Sequence, residues 1–144
     1  MRKREIWAEP NETLGVELTG YSLVLAKNGE IICSSRGTGL RPLVECIHRC
    51  RSRFSECTLY DRVIGLAAAR LVVYSDMISL VLTRVCSEAA KALLTTHNIE
   101  VKALNIVSNI HTQDELSICP MERMAQTVED NESFFSQLRR ILDV

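Results

Sequence analysis

Four short clusters carry the residue types and spacing that could do chemistry. Cys119-Pro120-Met121-Glu122 sets a thiol before a proline suited to the first turn of a helix. A thiol there meets free backbone N–H groups and the positive end of the helix dipole, which favour the thiolate and make Cys119 the candidate nucleophile or redox sensor. No histidine flanks it as a base, so the run also reads as a helix start packed into the core, with Glu122 complementing the dipole. Ser87-Glu88 falls at an expected strand-to-helix junction, where open sheets form their ligand crevice and unpaired N–H groups attract anions. N-capping by Ser87 explains the same residues. Asp61 carries the same two readings, a cap or a pocket residue. Ser35-Arg36-Gly37 joins one guanidinium to a pliant backbone, which suits a phosphate or carboxylate clamp but lacks the lysine of a phosphate-binding loop. A structural turn with a solvated or salt-bridged arginine is the plainer account.

Cys46 and Cys50 stand four apart, on one face of a helix, with His48 between them and Cys57 beyond. His48 points away from that face and both thiols lie beside an apolar stripe, so core thiols are expected there and no metal. The six cysteines, at 33, 46, 50, 57, 86 and 119, lack framework spacing and mostly occupy apolar segments, which predicts reduced thiols rather than disulfides. Arg49, Arg51 and Arg53 form a basic patch on the same helix. Without interleaved aromatics, and with a net charge of -1, it reads as a solvated face, and no nucleic-acid partner is expected.

Turn signals and periodicity supply the elements that must hold these groups. Tyr21–Ala26 and Ile31–Ser34 flank Asn28-Gly29, which predicts a β-hairpin with a type I′ turn. Pro42 suits a helix start, with Leu43, Ile47, Cys50 and Phe54 on one face. Asp61 is expected to cap a second helix, wrapped in apolar residues from Val63 to Val73 and therefore buried. Met77–Val85 reads as a strand covered on both faces, in mid-sheet. Ser87 then caps a helix from Glu88 to His97, Asn98 stops it, and Ile99–Ala103 forms a strand. After a loop near residues 108–117, one helix starts at Pro120 with Met121, Met124, Ala125 and Val128 inward. A last helix uses Phe134, Leu138, Ile141 and Leu142.

This order implies a single α/β domain over residues 20–144, a three-layer α/β/α sandwich with a mixed central sheet and helices on both faces. Residues 1–19 read as a leader or partly ordered extension, with Trp7 docking onto the body. At 144 residues the chain can close one hydrophobic core without disulfides or metal. The apolar stretches are too short and too interrupted to span a membrane. Met1-Arg2-Lys3-Arg4 is not followed by an apolar run, so a cytoplasmic protein is expected.

The segments Ser35-Arg36-Gly37 with Arg41-Pro42-Leu43, Asp61-Arg62-Val63-Ile64-Gly65 with Ala67-Ala68-Ala69, Ser87-Glu88, and Cys119-Pro120-Met121-Glu122 together resemble domain-of-unknown-function family 1893 over roughly residues 20–142. The resemblance implies a cytidine-deaminase-like fold, whose catalytic groups sit at the starts of two buried helices. It implies fold and not chemistry. A zinc deaminase needs a His or Cys two residues before a Glu, and a Pro-Cys-x-x-Cys on the next helix. At the places expected for them stand Gly65-Leu66-Ala67-Ala68-Ala69 and Val85-Cys86-Ser87-Glu88-Ala89-Ala90, which supply one thiol and no partner. The expectation is therefore a small-molecule binding or regulatory domain, not a zinc-dependent deaminase, for a nucleotide-like or anionic ligand. Its pocket would be lined by Arg36, Asp61, Gly65, Ser87, Glu88, Cys119 and Glu122, with no metal or cofactor. The alternatives are a metal-independent enzyme using Cys119, or an assembly or scaffold protein. A homo-oligomer is compatible with either.

Overall fold

The structure, a computed structural model, describes residues 20–110 and 120–144. The leader over residues 1–19 and Cys119 lie outside the described residues. Asn28 and Gly29 have φ of 53° and 80°, the left-handed pair that a type I′ turn requires, and they join β1 (Leu23–Lys27) to β2 (Glu30–Ser35) as expected. The chain continues as α1 (Arg41–Cys50), β3 (Cys57–Ile64), α2 (Leu66–Ser75), β4 (Ile78–Ser87), α3 (Glu88–Thr96), β5 (Glu100–Val107), α4 (Pro120–Thr127) and α5 (Asn131–Leu142). The strands form one mixed sheet in the order β2-β1-β3-β4-β5, with β1 antiparallel to both neighbours and β3, β4 and β5 parallel. No helix among the described residues is long and apolar enough to cross a membrane.

The fold differs from the sequence expectation in three places. Asp61 caps no helix: it lies inside β3, and the buried helix starts three residues after Val63, at Leu66, with Gly65 as its N-cap. Cys57–Ile64 is rich in Thr, Tyr, Val and Ile and closes on a glycine, the usual mark of a strand, but Asp61-Arg62 imitates a cap. Phe54 is not on the first helix, which ends at Cys50, and its ring is 38% exposed. The third difference concerns the layers. Buried residues of all five described helices pack with Leu23, Leu25, Leu59 and Val81 into one core on one face of the sheet. The other face buries Val24, Ala26, Tyr60 and Leu82, and no residue of a described helix joins that cluster. Two consecutive parallel crossovers stepping the same way, β3-α2-β4 and β4-α3-β5, must put their helices on the same face if both are right-handed.

Helix α2 is the hub of the large core. Ala67 to Val72 are all buried, Arg70 among them at 6% exposure. A buried guanidinium must find acceptors, and Arg70 finds them at the end of α4. Its Nε donates to Asn131 Oδ1 at 2.8 Å, Nη1 to the carbonyls of Ala125 (2.8 Å) and Val128, and Nη2 to that of Glu129 (3.0 Å). Its Cζ also lies 4.6 Å over the ring of Phe134. These carbonyls are the ones a helix C-terminus leaves without partners, and a cation there complements the dipole. Replacing Arg70 with Ala is expected to cost about 2–4 kcal/mol in urea denaturation, since four acceptors, the buried Ala125 carbonyl among them, lose their donor at once. Arg70→Lys should recover only part, because one ammonium cannot reproduce the planar fork.

Candidate functional site

Strand β3 outlasts its neighbour. The last β1 pairing sets Leu23 against Asp61, whereas β3 runs on to Ile64, and the chain after β2 turns away through Gly37-Thr38-Gly39 into α1. The notch between them is a cavity of about 450 Å³ at the start of α2. Ser22, Thr38, Asp61, Arg62, Val63, Met121 and Glu122 are among the residues that line it, together with Gly37, Gly39 and Gly65. It lies at the carboxyl end of a parallel strand, where open α/β sheets place ligands.

Gly65 has no side chain to cap α2, and a carboxylate from another helix does it instead. Glu122, in the first turn of α4 and only 6% exposed, accepts from Leu66 N–H through Oε2 at 2.8 Å and from Ala67 N–H through Oε1 at 2.6 Å. The charge sits on the positive end of the α2 dipole. A Cβ on Gly65 would stand 2.6 Å from this carboxyl group, so the glycine makes room for it. Both oxygens of Glu122 are engaged, and the N–H groups that could have met an anionic ligand are already taken.

Asp61 is the other acidic group on the wall. It is half-buried, and burial pushes its carboxyl up to about 7, although the N–H groups of Arg62 and Val63 and the Arg62 charge oppose the rise. Near neutral pH it can therefore donate or accept a hydrogen bond. Of the residues singled out from sequence, the cavity brings together Asp61, Gly65 and Glu122. Among the described residues, Ser87, Glu88 and Arg36 do not line it. Ser87 caps α3, its Oγ accepting from Ala90 N–H at 3.2 Å, and Glu88 is exposed in the same first turn. Arg36 is exposed, with its Cζ 4.7 Å over the ring of Tyr21. Cys86 is fully buried and its thiol is pushed up to about 11 by that burial. Ser22, Thr38 and Val63 were not foreseen. The glycines around Thr38 marked a loop, but only the pairing of β1 with β3 carries that loop to Asp61.

A second constellation lies on the far side of α1. Cys46 and Cys50 are joined by Cys33 from β2, and the three sulfurs lie within 4.8 Å of one another. The Cys33 thiol is pulled down to about 6, chiefly by a hydrogen bond from the Cys46 thiol, with Arg49 assisting and burial opposing. Arg49 Nη2 donates to Cys33 Sγ at 3.5 Å. Cys46, whose proton serves Cys33, is pushed up, and so is Cys50 through burial.

A mixed five-stranded α/β fold with a cavity over the start of a buried helix is thus the class of protein defined here. Residues 14–142 match the family described as TM1506, domain of unknown function (DUF1893), and the chain belongs to that family. The crystal structure of a DUF1893 family protein (TM1506) from Thermotoga maritima is similar to it with a TM-score of 0.77. The two are 20% identical, over 96% of this chain and 90% of that one, which speaks for a shared fold. No curated protein matches the chain.

Two outcomes follow from the Glu122 and Asp61 geometry. Gly65 has φ -97° and ψ -172°, which any residue adopts, so Gly65→Ala meets only the carboxyl of Glu122. The substitution should cost about 1–3 kcal/mol alone and at least about 1 kcal/mol less in a Glu122→Ala background, measured as a double-mutant cycle in urea. Additive costs would refute the contact. For Asp61, the folded value near 7 lies above the unfolded value of about 4. The folded state then holds the extra proton between these values, so this group's contribution is full below pH 4 and lost as pH rises through 7. Relative to Asp61→Asn, the parent protein should lose roughly 1–3 kcal/mol between pH 4 and 8, read from urea midpoints.

Proposed function

We propose that this protein is a small-molecule binding or regulatory domain on a cytidine-deaminase-like scaffold, and that its cavity takes a neutral or weakly basic nitrogenous ring such as a nucleobase or nucleoside. The scaffold reading is supported by the sheet order with its antiparallel β1 and by the position of the cavity beside two helix starts. The first turn of α4 contributes Met121 and Glu122 to the cavity, and because β3 is a strand the helices that follow β2 and β3 start there as well, α1 and α2. They read Gly39-Leu40-Arg41-Pro42 and Gly65-Leu66-Ala67-Ala68, with no histidine, cysteine or acidic residue among them. The start of α2 is further closed by Glu122. These residues do not fit a catalytic zinc.

Asp61 carries the ligand reading. It is a carboxyl poised near neutrality on the wall of a cavity whose other acidic group is spent on α2. A ring nitrogen with an adjacent amino group matches such a carboxyl, which accepts from one and donates to or accepts from the other. Thr38 offers a hydroxyl on the same wall, and Val63 and Met121 offer apolar surface for a ring. An anionic ligand fits less well at the start of α2, whose N–H groups Glu122 already holds and where it would meet two carboxyl groups.

A thermal-shift screen of nucleobases, nucleosides, nucleotides and acidic metabolites tests this reading. Uncharged bases or nucleosides should raise the Tm by several degrees, and Asp61→Ala should abolish the rise. Ser87→Ala and Arg36→Ala, at residues that do not line the cavity, should preserve it. Stabilisation by anions alone, or an unchanged response in Asp61→Ala, would overturn the assignment.

A further inference from the structure

Cys33, Cys46 and Cys50 come from two elements, β2 and α1, and are each under a tenth exposed. Their sulfurs converge within 4.8 Å of one another. Three thiolates around one ion, at metal–sulfur bonds of about 2.3 Å, stand about 3.8–4 Å apart, so less than 1 Å of side-chain adjustment closes the set. The backbone already holds the donors in place: Cys33 pairs with Leu25 across the sheet, and one helical turn fixes Cys46 against Cys50. The remaining described cysteines do something else with their thiols, Cys57 donating to the carbonyl of Ser55 and Cys86 to that of Ser87.

We propose that Cys33, Cys46 and Cys50 form a trithiolate site for a thiophilic d10 ion, Cu⁺ or Zn²⁺. All-sulfur donors select these ions over harder ones. The site is independent of the cavity at α2. A second cavity, of about 520 Å³, opens beside it and is lined by Cys33, Cys50, His48, Arg49, Arg53 and Phe54. It supplies a path for the ion and room for a fourth ligand. Three thiolates exceed the charge of either ion, and Arg49 and Arg53 face the excess. The guanidinium of Arg49, already donating to Cys33 Sγ, is the outer-shell hydrogen bond that sulfur ligands commonly need. Spacing alone missed this site, because Cys46 and Cys50 lack a third donor until β2 is folded against α1.

The test uses the full chain, reduced and kept without oxygen, loaded separately with Cu⁺ and Zn²⁺ and then desalted. Elemental analysis and native mass spectrometry count the ion, and alkylation mapping identifies shielded thiols. At least one arm should retain one ion per chain, with Cys33, Cys46 and Cys50 shielded and Cys57, Cys86 and Cys119 reacting as in the metal-free protein. Cys33→Ser and Cys50→Ser should each weaken retention at least tenfold against a competing chelator, whereas Cys119→Ser should not. Retention of Cu⁺ alone identifies a three-coordinate site; retention of Zn²⁺ that falls in His48→Ala identifies a four-coordinate one. No stoichiometric ion in either arm, shielding of other cysteines, or retention that survives Cys33→Ser would overturn the proposal. Shielding in the unsubstituted protein decides the matter even if a variant fails to fold.

Discussion

The carboxylate of Glu122 on the first N–H groups of α2 is the contact around which this fold is arranged. It joins two helices that are more than fifty residues apart in sequence, and it works only because residue 65 is a glycine. Arg70 makes the reciprocal contact at the other end, carrying a guanidinium from α2 to carbonyls in and just after the last turn of α4. Each helix thus satisfies the orphan groups of its neighbour, acid on an N-terminus and base on a C-terminus, in the senses that the two dipoles favour. Burial strengthens both contacts and raises the cost of losing either.

The same contact shapes the chemistry open to the cavity. A free helix start would attract phosphate or carboxylate, and at α2 Glu122 removes that option while adding negative charge. What is left is a largely apolar notch with one adaptable acid, Asp61, whose burial lifts it to near neutrality. The cysteine cluster on the far side of α1 owes nothing to this arrangement, and it depends instead on β2 lying against α1.

Much of the fold was legible along the chain, because local signals suffice where local physics decides. Asn28-Gly29 specified the hairpin, Ser87 the start of α3, Pro120 the start of α4, and the apolar wrapping from Ala67 to Val73 the burial of α2. The strand β3 was not legible. Its Asp61-Arg62 pair imitates a helix cap, and only pairing with β1 and β4 on either side makes the extended form the stable one. With a helix expected there, Asp61 reads equally as a cap and as a pocket residue, and only the strand, by carrying it to the cavity wall, decides between the two.

From residues alone came the α/β class and the family resemblance, since both depend on residue type and spacing. Which side chains meet was decided by tertiary structure. Asp61, Gly65 and Glu122 share a cavity and Cys33 joins Cys46 and Cys50, while Ser87, Glu88 and Arg36 turn to capping and stacking. Sequence separation carries no distance, and strand register and helix packing supply it.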